Sequence, residues 1–356
     1  MRGWLAVPIV LVVALLVALP VAALTETGIE KDVKAVTGVD SDVCDPPANL
    51  ASPWLQGPPL GEPRDEPRAV AIGDSAYLVG GTLGIRELTP DHYLLDASNE
   101  LTRFDPPRGP YEQLTPLPRP LNHVGLTTYR GDIYVAGGYG RFTHAKTSRA
   151  FFRYDPGTDR WSRLANMPVP RAAGAVGVVG HRLIWAGGAR NSIAKSDVFA
   201  YDFRSRHWSR LPSMHSRREH VGEAVLNGKL YVLGGRAPQS LAVDTAERFD
   251  PRSGKWESLP QMPVPSGGLA AISLDDAVVA VSGGNDGAET VTGAVQEFDP
   301  TTNEWTLLPA LRVARHGHGA VVVDGEVWVF GGSKCAFFNP TEEVEHIRLD
   351  DLRGNG

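Results

Sequence analysis

Apolar and polar positions alternate over short runs along most of this chain, and the runs stop at glycine. "KLYVLGG" (229–235) is typical: a five-residue alternating segment closed by two glycines. Period-two alternation rich in Val, Ile, Leu, Tyr and Trp predicts β-strands. The pattern recurs six times, ending at Gly80-Gly81, Gly137-Gly138, Gly187-Gly188, Gly234-Gly235, Gly283-Gly284 and Gly331-Gly332. Two other landmarks keep step with it. One is an aromatic opening a short outer segment, at Trp54, Tyr111, Trp161, Trp208, Trp256 and Trp305; the other is an aromatic-Asp corner before it, as in Phe249-Asp250-Pro251. Three landmarks at one period of 47 to 57 residues define a structural repeat.

Each unit reads as four strands. In the fourth unit these are "EHVGEAVLN", "KLYVLGG", "TAERFDP" and "KWESLP", joined by tight turns such as Asn227-Gly228. The glycine pair, the spaced Trp and the "FDP" corner resemble the kelch repeat over residues 54–352. That resemblance implies an all-β, six-bladed kelch-type β-propeller of the galactose oxidase and kelch superfamily, with four-stranded antiparallel blades. Trp54 opens a fourth-strand pattern with no first three strands before it, and the last unit ends without a Trp. The N-terminal strand is therefore expected to complete the last blade and close the ring, which removes a sheet edge. The glycine pairs are expected to let an aromatic from a neighbouring strand approach the backbone.

The first residues differ in kind. Residues 1–23 hold Arg2 and then an uncharged apolar run ending in small residues, the form of a signal peptide or, if retained, a signal anchor. Either places the rest outside the cytoplasm, secreted or membrane-anchored, with 24–53 as a linker, 54–352 as the propeller and 353–356 as a tail. The only cysteines are Cys44 and Cys335, and in an oxidising compartment they are expected to form one disulfide across the closing seam. A net charge of −6 gives no reason to expect nucleic acid as a partner.

Candidate chemistry follows from the repeat. The tenth residue after each aromatic is Arg64, Leu121, Arg171, Arg218, Ser266 or Arg315, with His123 and His220 two places later in their units. A ring of arginines on the loop face suits carboxylates, sulfates and phosphates, while a structural arginine paired between blades is the competing reading. Arg86, Arg141, Arg190, Arg236 and Lys334 add cations in the loops after the second strands. Glu223 stands where the other units have Ala69, Leu126, Val176, Ala271 and Ala320, so it is expected to pair with a nearby Arg or, less simply, to act as an acid or base. No metal-ligand spacing is present, and no metal or cofactor is expected. These features favour a binding module for a protein or an anionic glycan. A carbohydrate enzyme of the sialic-acid epimerase type is the alternative that the resemblance implies. A membrane-anchored scaffold is a third reading, and the copper chemistry of galactose oxidase is disfavoured by the placement of Tyr and Cys.

Overall fold

The computed structural model describes residues 48–89, 92–107, 109–140, 146–238, 241–285, 290–336 and 338–354, within the larger of two compact units, Asp42–Gly356. The N-terminal apolar run and Cys44 lie outside these residues, and no described helix is long and apolar enough to cross a membrane.

Six four-stranded antiparallel sheets surround one axis. Their innermost strands are Arg68–Ile72, Gly125–Tyr129, Ala175–Val179, Gly222–Leu226, Ala270–Ser273 and Gly319–Val323. Each begins a blade that runs outward in chain order, and the second strands are nearly all buried, as Leu230 to Leu233 illustrate. The core lies between neighbouring sheets, where apolar faces of adjacent blades meet. The turns follow the sequence signals: Asn227 and Gly228 take φ of 50° and 71°, the left-handed pair that a two-residue hairpin favours. The ring closes as the repeat implies. Leu55 pairs with His346 and Gln56 with Glu345, so the N-terminal strand is the outer strand of the last blade. After the second strand of the first blade, Thr82–Thr89 pairs with His92–Ala97 in a hairpin.

Three belts of hydrogen bonds cross the blade boundaries. In the outer belt, the donor of each outer-strand aromatic reaches the carbonyl four residues past the preceding blade's aromatic. Trp161 Nε1 donates to Thr115, Trp208 to Ala165, Trp256 to Pro212, Trp305 to Pro260, and Trp54 to Pro309, all at 2.8–3.0 Å; Tyr111 Oη donates to Pro58 at 2.8 Å. In the middle belt, the N–H of the second left-handed residue donates to the next blade's carbonyl at the position of the recurrent arginine. The pairs are Gly81 to Leu121, Gly138 to Arg171, Gly188 to Arg218, Gly235 to Ser266, Gly283 to Arg315 and Gly332 to Arg64, at 2.8–3.3 Å.

The middle belt corrects the sequence reading of the glycine pairs. A Cβ on Gly234 would lie 2.4 Å from the Ser266 carbonyl oxygen, and on Gly331 2.5 Å from that of Arg64. What approaches these glycines is the next blade's backbone, not the outer-strand indole, although at Gly137 Trp185 also comes within 2.9 Å. In the fifth blade the left-handed pair is Ser282-Gly283, with φ of 55° and 141°, and a bulge follows Val281. The sequence pair Gly283-Gly284 is therefore one place late there.

Candidate functional site

The third belt surrounds the axis. Two residues after the recurrent position, every unit places a left-handed residue: Glu66, His123, Ala173, His220, Gly268 and Gly317, with φ between 50° and 63°. Their main chains link around the axis. Glu66 N donates to Gly317, Ala173 to His123, His220 to Ala173, Gly268 to His220 and Gly317 to Gly268, at 2.6–2.9 Å. The belt thus turns the side chains of Glu66, His123 and His220 towards one another at one end of the channel. His316 and His318 flank Gly317 in the same region.

All of these groups are buried. His123 Nε2 lies 3.3 Å from Glu66 Oε1 and His220 Nε2 lies 4.0 Å from the same oxygen. The two imidazoles meet edge to face with centroids 4.5 Å apart. Their other nitrogens face oxygens: His123 Nδ1 is 2.9 Å from Asn122 Oδ1, and His220 Nδ1 is hydrogen-bonded to the Glu219 carboxylate. Asp65, Glu66 and His316 form a second close set that shares Glu66. Burial opposes the charge on Glu66, and the His123 imidazole, with His220 behind it, outweighs that and holds the carboxyl well below the usual carboxylate range. Burial likewise opposes the charge on Glu219, yet His220 holds it down at about 2. Burial pushes His316 and His318 down to about 3, so both imidazoles are neutral at physiological pH.

Beyond this cluster the inner strands enclose an axial cavity of about 390 Å³. Arg68 of the first blade forms an ion pair with Glu223 of the fourth across its inner end. The pairing expected for Glu223 therefore has a partner from the opposite side of the ring. Its second oxygen, Oε2, is buried without a hydrogen-bond partner among the described residues.

The four recurrent arginines do not line this channel or an open rim. Arg64, Arg171, Arg218 and Arg315 are each at most 4% exposed. Each ends on a carboxylate near the third strand of its own blade: Glu100, Asp197, Glu247 and Glu345 in turn. Arg218 also donates to the carbonyls of Gly234 and Thr245, both at 2.6 Å. Glu247 and Glu345 in turn accept main-chain N–H groups from the loop entering the blade, His215 at 2.8 Å and Arg312 at 2.7 Å. The remaining two blades show the same joint in other chemistry. Where the arginine is Ser266 the acid is Gln296, which both accepts from Val264 N and donates to Val264 O. Where it is Leu121, the facing residue is Phe152, in the same apolar cluster. A guanidinium buried and ion-paired in this way fastens the entry loop to the third strand and is closed to an external anion, although the Nε of all four and Nη2 of Arg315 have no hydrogen-bond partner among the described residues. Of the other loop cations, Arg190 is exposed, Arg236 is buried and Lys334 lies 3.5 Å from Glu343. The side chain of Arg86 and all of Arg141 fall outside the described residues.

Residues 54–219 match the KLHDC2/KLHL20/DRC7 Kelch-repeats domain, and residues 217–263 match the Kelch motif. The chain is a kelch-repeat propeller. Among proteins similar to it, Kelch-like protein terF of Aspergillus terreus is 28% identical over 237 residues, covering 63% of this chain and 50% of that protein. Kelch-like protein 35 of Mus musculus is 26% identical over 210 residues, covering 59% and 33%. The kelch propeller thus spans half or less of the length of these two relatives. A solved structure, "Structure of YjhT", superposes with a TM-score of 0.68 at 15% identity, covering 83% of this chain and 97% of that one. That likeness bears on the fold alone.

Sequence reasoning singled out His123 and His220 but placed them on a loop face with the arginines. It missed Glu66 and Glu219, which sit at the same two repeat positions as His123 and Asn122 and their counterparts. The signal was available: aligning the units column by column would have shown the axial position filled by Glu, His, Ala, His, Gly and Gly.

Proposed function

We propose that this kelch propeller is a protein-recognition module held outside the cytoplasm. Its recognition surface would be the face formed by the loops after the second strands. Kelch propellers typically serve as protein-binding modules, and the observation that carries the reading here is apolar exposure on that face. Ile193 in the third blade's loop is 58% exposed and Leu241 in the equivalent fourth-blade loop is 48% exposed. Arg190, cross-strand partner of Ile193, is exposed beside it. Exposed aliphatic side chains with an arginine beside one of them suit a protein surface better than a sulfated or carboxylated glycan, for which the buried arginines leave no cationic ring. The placement outside the cytoplasm rests on the N-terminal sequence.

The test is a pull-down from the exterior fraction, followed by affinity measurement on the captured partner. Ile193→Asp with Leu241→Asp is expected to weaken binding by about 10–100-fold, the effect of removing one or two anchors at roughly 1.4 kcal/mol per tenfold. Leu307→Asp, on the outer strand of the fifth blade, is expected to leave it unchanged. Equal effects of the two changes would overturn the assignment of the face.

An oxidising compartment carries a second expectation, a Cys44–Cys335 bond. Cys335 is buried in the loop after Gly332, in the blade that the N-terminal strand completes. Peptide mapping under non-reducing conditions is expected to give one linked peptide. By the chain-entropy model, such a long loop contributes up to about 5 kcal/mol. Two alkylatable thiols in exported, unreduced protein would exclude the bond.

A further inference from the structure

We propose that the axial cluster is a binding site for a divalent transition cation such as zinc, with Glu66 Oε1, His123 Nε2 and His220 Nε2 as its protein ligands. Three donor atoms from three blades converge within 4.8 Å of one another. Ligands about 2.0–2.1 Å from a tetrahedral ion stand roughly 3.3–3.4 Å apart. The separations of 3.3 and 4.0 Å from Glu66 Oε1 to the two nitrogens are near that spacing, so small side-chain adjustments admit an ion.

Proton positions point the same way. A carboxylate can only accept, so the Glu219 contact requires a proton on His220 Nδ1, and Asn122 Oδ1 plays the same part for His123. In the tautomer with Nδ1 protonated, each Nε2 presents its lone pair on the side of Glu66 Oε1, where one cation would be held by all three atoms. Histidines that ligate metals are oriented in this manner, with the second ring nitrogen held by a carboxylate or carbonyl oxygen. The site has room for one ion: a void of about 10 Å³, lined by Glu66, His123, His220 and their neighbours, is the size of a single water-sized occupant.

The repeat supplies an independent observation. The axial position is left-handed in all six blades, a conformation that suits the glycines of the fifth and sixth. Ala173 shares it, so the ring imposes the conformation and aims whichever side chains stand there, Glu66, His123 and His220 among them, at the axis. The charges also leave room for a cation. Glu66, Glu219 and Glu223 face Arg68 and Arg236, and Arg68 is already engaged by Glu223. Two histidines and a glutamate suit zinc, and the same set with open positions suits iron(II). Ligands drawn from residues 66, 123 and 220 have no signature spacing, since the fold alone assembles them.

The test uses the full exported chain, stripped with EDTA and titrated calorimetrically with zinc chloride, with cobalt(II) as a spectroscopic probe. One equivalent per chain is expected, with cobalt showing the absorption of a nitrogen- and oxygen-ligated site. Glu66→Gln, His123→Ala and His220→Ala should each weaken zinc binding by at least about 100-fold. Glu219→Gln, which alters only the orientation of His220, should weaken it by about 10–100-fold, and His207→Ala on the exposed rim should leave it unchanged. Where a variant fails to fold, the wild type alone decides. Zinc should shield His123 and His220 from diethyl pyrocarbonate and raise the melting temperature, while magnesium should do neither. No binding by wild type at about 100 µM zinc, or full binding by a folded His123→Ala/His220→Ala protein, would overturn the site and leave an imidazole–carboxylate ion pair.

Discussion

Glu345→Ala is expected to destabilise the propeller by about 3–5 kcal/mol, because it strands a fully buried guanidinium without its counter-charge. Arg315 is 0% and Glu345 1% exposed, joined at 2.6 Å. Loss of Glu345 also orphans the N–H groups of Arg312 and Val313, which it accepts at 2.7 and 3.1 Å. A fall in the thermal midpoint on the order of 5–10 °C follows. The fifth blade supplies the rescue. Converting the pair to its serine and glutamine, Arg315→Ser with Glu345→Gln, removes both charges and keeps an acceptor for the entry loop. The double variant should melt well above Glu345→Ala. A double variant no better than the single one would show that the joint depends on charge rather than on satisfied polar groups.

Gly235→Val is expected to cost about 3 kcal/mol or more. Its φ of +99° strains any residue with a Cβ, by roughly 1–3 kcal/mol. A Cβ there would also lie 2.5 Å from Val221 Cγ1 and 2.7 Å from the Glu219 carbonyl oxygen, so overpacking adds about 1–3 kcal/mol. The N–H of Gly235 is one of the six middle-belt donors, 2.8 Å from Ser266 O, so the change also disturbs a blade boundary. Gly228→Ala is the comparison: φ is +71° but no atom lies within 4 Å of the added carbon, and about 1 kcal/mol is expected. Similar melting curves for the two variants would mean that the close approach of the blade's own first-strand segment at Glu219 and Val221 contributes nothing beyond local strain.

These two positions show why repeated residues mislead when their direction is unknown. An arginine recurring in four of six units reads equally well as a ligand ring or as a fastener. What separates the readings is what each one meets at the third strand: Glu247 and Glu345 face Arg218 and Arg315, Gln296 lies at the same strand position opposite Ser266 and Phe152 opposite Leu121, while Arg64 and Arg171 reach Glu100 and Asp197 two places earlier. Each pairing closes the entry loop against the third strand by its own chemistry, as expected of packing. The axial position varies without a compensating partner, from Glu and His to Ala and Gly. Such variation leaves the donor groups gathered in the first, second and fourth blades.

The sequence by itself determined the strands, the number of blades and the closing of the ring. Strand alternation and turn glycines are local signals, and a regular unit with one orphan outer strand at Trp54 has few ways to close. It did not determine what meets the glycine pairs, because the carbonyls that accept from them come from the next blade, 30 to 40 residues further along for five of the six pairs. Nor did it determine which polar residues face inward together. Glu66, His123 and His220 are separated in the chain by whole blades, and Arg68 meets Glu223 from the opposite side of the ring. Only closing six similar sheets on one axis brings equivalent positions together, since the axis is where every unit turns its equivalent position to a common centre.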